Sequence, residues 1–181
     1  MKTRPMKRRA ALLAACLLLG APAARAEPEL VLLVRHAERA AEPKQDPALS
    51  PAGQARAREL AEALADAGVT AILTTQYQRT RQTAAPLAER RGIVPRTIEA
   101  RRGSDHVGEV VAAVRAQSGV VLVVGHANTV PQIAAALAGS AGPLRDFCES
   151  SYAQLLAVQG GHLLRLRYGE PDSAAPQDNC Q

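Results

Sequence analysis

The sequence predicts an α/β domain built on a mostly parallel central sheet flanked by helices. Two uninterrupted apolar runs, residues 30–34 (Leu-Val-Leu-Leu-Val) and 120–124 (Val-Val-Leu-Val-Val), have the composition of strands buried on both faces. Segments of helical period fall between these runs and weaker strand candidates, so strand and helix alternate along the chain. A length of 181 residues suits one such domain better than two.

The weaker strand candidates are residues 69–74, 94–98, 152–158 and 162–168, and Gly160-Gly161 joins the last two as a hairpin. The first helix starts at Ser50-Pro51, an N-cap followed by a first-turn proline. Leu60, Leu64 and Ala67 keep its period, and Gly68 stops it. Residues 80–91 form a second helix with Pro86 inside it, where a kink is expected, and Gly92 closes it. Ser104 can cap a third, in which Val107, Val110, Val111 and Val114 make one apolar stripe. A short Ala-rich helix covers residues 130–138. Pro28 and the Ala/Pro/Gln-rich tail after Gly169 are expected to be flexible ends, and no internal repeat is visible.

The N-terminus reads as a secretory signal over residues 1–26, ahead of a domain at 27–170 and a C-terminal tail at 171–181. A cationic start up to Arg9 precedes an apolar run at residues 10–19, and Ala24-Arg25-Ala26 offers small residues where a signal peptidase cuts. The apolar run is too short to span a bilayer, which takes about 20 residues. No stable membrane span is therefore expected after signal removal. Export to the periplasm or medium follows, with a lipid-modified Cys16 as the alternative. Export leaves Cys148 and Cys180 as an even pair in an oxidising compartment, compatible with a disulfide or with two free thiols.

Charge excludes one class of partner. The chain has 22 Lys and Arg against 17 Asp and Glu, but six of the basic residues and none of the acidic ones lie in residues 1–26. The remaining 16 against 17 give a formal charge of −1, so the domain has no general affinity for polyanions. One Phe, three Tyr and no Trp leave little to stack on bases. Nucleic acid is not an expected partner.

Chemistry concentrates where two of the four histidines sit. His36 follows the first apolar run after Arg35 alone, and His126 follows the second after Gly125 alone. In an open parallel sheet, ligands bind beyond the carboxyl ends of the strands, so two such endings bring both imidazoles to one crevice. His106 and His162 read as surface residues.

The segment Leu33-Val34-Arg35-His36-Ala37-Glu38 resembles the Arg-His-Gly/Ala motif of the histidine phosphatase superfamily, the phosphoglycerate mutase-like proteins. Leu49-Ser50-Pro51-Ala52-Gly53-Gln54-Ala55, the Arg79-Thr80 motif within residues 75–84 and Val123-Val124-Gly125-His126 are similar to its other motifs, in family order. The resemblance implies a three-layer sandwich and a phosphorylated histidine intermediate on His36. It implies that Arg35, Arg79 and His126 surround the phosphoryl group. Arginine suits that task because its planar fork donates two charge-assisted hydrogen bonds to one phosphate. Such a cationic pocket could replace metal ions, and no Asp/His/Glu cluster has convincing metal-site spacing, so neither a metal nor another cofactor is expected.

A departing alkoxide needs a proton. The resemblance points to Glu99, at the end of the strand candidate 94–98, with Asp105 as a rival, Glu109 behind them, or no acid at all as in small phosphohistidine phosphatases. Glu38 is expected near the pocket. Phosphoglycerate mutases carry Ser or Thr and then Asn after the nucleophile, where this chain has Arg39 and Glu42. That departure, export and the lack of long insertions favour a phosphatase over a mutase. The expected function is an exported, metal-independent phosphomonoesterase acting on a phosphorylated small molecule or phosphoprotein. A phosphohistidine protein phosphatase and a non-catalytic anion-binding protein are the alternatives.

Overall fold

The computed structural model describes residues 27–101 and 105–172. The signal reading at residues 1–26, Cys16, Ser104, Cys180 and most of the C-terminal tail lie outside the described residues.

Six strands and four helices follow one another as β1 (Pro28–Arg35), α1 (Pro51–Ala63), β2 (Val69–Thr74), α2 (Gln78–Arg91), β3 (Arg96–Thr97), α3 (His106–Arg115), β4 (Gly119–Gly125), α4 (Thr129–Ala138), β5 (Gln154–Gln159) and β6 (His162–Arg167). They build one sheet in the order β3-β2-β4-β1-β5-β6. The first four strands in that order run parallel, and β5 and β6 are antiparallel additions on the far side of β1. The sheet is flanked by helices in a mixed α/β fold.

Alternation along β1 shows why its sequence is apolar throughout. Leu32 and Val34 enter one core with Leu60, Leu64, Ala84 and Leu87 of the α1–α2 side. Val31 and Leu33 enter the other with Val110, Val114, Val130 and Ile133 of α3 and α4. A strand with helices on both faces has no solvent side, and Val121 to Val124 of β4 divide between the two cores in the same way.

The helix ends follow their local chemistry. Ser50 Oγ accepts from the Gly53 amide with Pro51 at the start of α1, and Gly92 closes α2 in the left-handed conformation at φ 64°. The helix α1 stops at Ala63, before the period of Leu64 and Ala67 is exhausted, and Gly68 turns the chain five residues later. Asp105 caps α3 through the Gly108 amide. The strand β3 shrinks to two residues, with Val94 91% exposed, because Pro95 withholds a donor and the edge offers one neighbour. Pro28, expected in a loose end, starts β1.

Candidate active site

The two histidines leave adjacent strands at the same level. In the parallel pair of β1 and β4, Arg35 stands opposite Gly125, and the His36 amide donates to the Gly125 carbonyl at 2.9 Å. Neighbouring strands lie about 4.8 Å apart, so the next residue of each chain meets the other. The imidazole centroids of His36 and His126 are 5.6 Å apart, edge to face at 66°. On the other side of β4, β2 feeds through Thr75 into α2, whose second residue is Arg79. Arg35, His36, Arg79 and His126 all line one cleft of about 420 Å³. The sequence places these four together, and the structure does so through strand order.

His36 is 5% exposed, and its Nδ1 lies 2.8 Å from the Ala37 carbonyl oxygen. A carbonyl only accepts, so Nδ1 carries the proton and Nε2 keeps its lone pair. Burial drives the His36 pKa down to about 3; the Ala37 bond opposes this, and the charges of Arg35, His126 and Arg79 add to it. His126 falls to about 4, again through burial first and then the charges of Arg79, His106 and Arg35. Both rings are neutral at pH 7. A chain of hydroxyls supports His126: its Nε2 is 3.2 Å from Thr75 Oγ1, which is 3.0 Å from Thr80 Oγ1. Thr80 in turn donates to the carbonyls of Thr75 and Tyr77. With that proton committed, Thr75 donates to Thr80 and accepts from His126 Nε2–H.

The guanidinium groups are held differently. Arg35 is 2% exposed; its Nη1 donates to the Cys148 and Glu149 carbonyls and its Nη2 to Glu149 Oε2, each at 2.8 Å. Arg79 has Asp46 Oδ1 at 3.9 Å from Nη1, and burial lowers its pKa from the ordinary arginine value. The Nε atoms of Arg35 and Arg79 are buried with no hydrogen-bond partner among the described residues. Two guanidinium groups beside two neutral imidazoles in one cleft suit an anion.

Tyrosines join these groups into a continuous stack. Arg79 lies 4.2 Å from the Tyr77 ring centroid, Tyr77 5.5 Å from His126, His36 6.5 Å from Tyr152, and Tyr152 4.3 Å from Arg35. The sequence reading missed Tyr77 and Tyr152, and Phe147, which lines the cleft. A usable signal existed: with only four aromatic residues in the chain, three lie at this site.

The acidic residues are distributed otherwise than expected. Glu99 is bound to Arg101, with Oε2 2.8 Å from Nε, and is not among the residues that line the cleft. Asp105 spends its carboxylate on the α3 cap. Glu38 turns to Arg56 at 2.8 Å, beside the site rather than in it. The carboxyls that line the cleft belong to Asp146 and Glu149, which the sequence reading did not single out. They arrive there because the Phe147 amide bonds the Ala127 carbonyl at 3.0 Å, drawing that segment against the residue after His126. Cys148 is disulfide-bonded. His106 corrects the surface reading: it is 8% exposed, at the start of α3, and borders a small internal space with Thr74, Thr75 and Gly125. His162 is exposed, as expected. Among the described residues, no group of three or more His, Cys, Asp or Glu is placed to hold a metal ion, and no helix is long and apolar enough to cross a membrane.

Comparison with known proteins agrees with the motifs. Residues 31–102 match the family model of the histidine phosphatase superfamily (branch 1). The fold is similar to that of the candidate phosphohistidine phosphatase SixA of Agrobacterium tumefaciens, with 23% identity, 80% of this chain and 99% of that chain covered, and a TM-score of 0.58. The corresponding SixA structure of Nakamurella multipartitia gives 26%, 80%, 97% and 0.56. A candidate alpha-ribazole-5'-P phosphatase of Escherichia coli gives 14%, 80%, 97% and 0.56. No curated protein matches the chain.

Proposed function

From the match of residues 31–102 to the histidine phosphatase superfamily, we propose that this chain is a phosphomonoesterase that passes the phosphoryl group through His36. The observation that carries the reading is the gathering of Arg35, Arg79 and His126 in one cleft around a His36 whose Nε2 lone pair is free. A phosphoryl group bound there has its charge offset by the two guanidinium groups as the nucleophile approaches in line. Bound phosphate also attracts a proton to the free Nδ1 of His126, whose Nε2–H is held by Thr75. The resulting imidazolium neutralises one more phosphoryl oxygen.

In the first step the His36 Nε2–P bond forms and the P–O bond to the leaving group breaks, its electron pair going to the departing oxygen. Asp146 supplies the proton to that oxygen. It lines the cleft and has no ion-pair partner among the described residues, whereas Glu149 is tied to Arg35 and Glu99 to Arg101. In the second step water attacks phosphorus, the Asp146 carboxylate takes its proton, and phosphate leaves with His36 restored. General acid help of this kind contributes about 10²- to 10⁴-fold.

Acid-quench labelling with a phosphorylated substrate tests the reading. An acid-labile phosphoryl adduct is expected on the wild-type protein and not on His36→Ala. No adduct and no phosphate release across a broad ester panel would refute it. A second reading, a phosphatase of protein phosphohistidine, draws on the likeness to the SixA structures. It predicts faster dephosphorylation of a phosphohistidine protein than of any ester, and no dependence on Asp146. Export belongs to the proposal as well; N-terminal sequencing of secreted material should find Glu27 first.

A further inference from the structure

Resting on the phosphatase reading, we propose that Arg39 and Lys44 form a second anion site in the same cleft, and that the substrates are small phosphomonoesters carrying a further carboxylate or phosphate. The cleft is the first ground. Its volume of about 420 Å³ corresponds to on the order of a dozen waters at liquid density, so one phosphoryl group leaves most of it for the rest of a ligand.

Charge is the second ground. Each arginine at the phosphoryl position already faces a carboxylate, Arg35 with Glu149 at 2.8 Å and Arg79 with Asp46 at 3.9 Å. Arg39 and Lys44 line the cleft with no ion-pair partner among the described residues. Arg39 lies near enough for its charge to contribute to the lowered proton affinity of Arg79. These cations are a local concentration, since the chain beyond residue 26 carries a formal charge of −1. The carboxyls lining the cleft, Asp146 and Glu149, come from a different segment. An anionic tail is drawn to the Arg39 side and repelled from the other.

The third ground is the backbone that carries them. The loop from Glu38 to Ser50 closes on itself, with the Ala40 amide on the Ala48 carbonyl at 2.8 Å and the Ser50 amide on the Glu38 carbonyl at 2.9 Å. It is also fastened to α2, where the Gln78 amide donates to Asp46 Oδ1 at 2.9 Å and the Leu49 amide to Gln82 Oε1 at 2.7 Å. Cations on a fixed backbone lose less freedom on binding than cations on a loose one.

The test is binding of non-hydrolysable probes by calorimetry. Straight-chain alkane bisphosphonates of three to six carbons are compared with alkylphosphonates of equal length, and with a phosphonate-bearing acidic peptide. Wild-type protein should bind the best bisphosphonate at least ~10-fold more tightly than its monophosphonate, the factor equivalent to about 1.4 kcal/mol. In Arg39→Ala/Lys44→Ala that ratio should fall towards one, and in Arg39→Glu below one. A ratio near one in the wild type at every length overturns the proposal, as does a ratio the double variant leaves unchanged. Tighter binding of the acidic peptide than of every bisphosphonate overturns the small-molecule class. The ratios are readable without turnover, so a failure of phosphoryl labelling would refute the phosphatase reading separately.

Discussion

At the scale of single residues, the site is a set of groups whose protonation and donor capacity are fixed by immediate neighbours. His36 keeps the free Nε2 lone pair that the proposed nucleophile needs, because its Nδ1–H donates to the Ala37 carbonyl and burial keeps the ring neutral. Asp146 is the residue whose role is most cleanly separable. Asp146→Asn should lower kcat on an alkyl phosphate about 100-fold or more, yet leave p-nitrophenyl phosphate nearly unaffected, because that leaving group departs without a proton. Equal losses on both substrates would remove Asp146 from the acid role. Glu149 makes a different prediction. Its carboxylate occupies Arg35 Nη2 at 2.8 Å and competes with any incoming anion for it. Glu149→Gln should therefore tighten tungstate or phosphate binding several-fold in a thermal-shift titration; weaker binding would mean that Glu149 chiefly positions Arg35.

At the scale of elements, the loop after β1 and the start of α1 depend on each other. A Cβ on Gly53 would stand 2.0 Å from the Glu38 carbonyl oxygen, which is backbone and cannot swing away. The glycine of the Leu-Ser-Pro-Ala-Gly segment is thus a packing requirement: it lets α1 touch the strand-end loop that follows His36. Gly53→Ala should cost about 2 kcal/mol or more and lower the melting temperature by several degrees. Ser50→Ala, which removes the α1 cap, should cost about 1 kcal/mol. If Gly53→Ala melts with the wild type, the close approach is not needed for the fold.

At the scale of the whole molecule, the two site histidines tie stability to pH. Each has a folded pKa below its unfolded value of about 6.5, near 3 for His36 and near 4 for His126. Above pH 6.5 neither affects stability. Below it the unfolded chain takes up protons that the folded chain refuses, so stability falls as pH drops towards 4, by up to about 1.4 kcal/mol per unit for each ring. Melting temperature should decline over that window, and more shallowly in His36→Gln than in wild type. A bound oxyanion should recover part of the loss by favouring the protonated His126. A decline unchanged by both His36→Gln and His126→Gln would assign it to other groups.

Much of this was legible in the chain because the signals are local. A five-residue apolar run reads as a doubly covered strand, Ser50-Pro51 as a helix start, and Gly92 as a helix end, and each is decided by covalent geometry and nearest neighbours. The meeting of the two imidazoles was legible too, because His36 and His126 each follow such a run after a single residue. Strand order, however, depends on which apolar faces pair. Only the tertiary structure set β4 between β1 and β2, and so brought Arg79 to the two imidazoles. Only it showed Glu99 paired with Arg101, His106 buried, and the segment carrying Asp146 and Glu149 folded against Ala127. Except for the Glu99–Arg101 pair, which lies two positions apart, these contacts join residues twenty or more positions apart and leave no periodicity to read, since their energy exists only once both partners are in place.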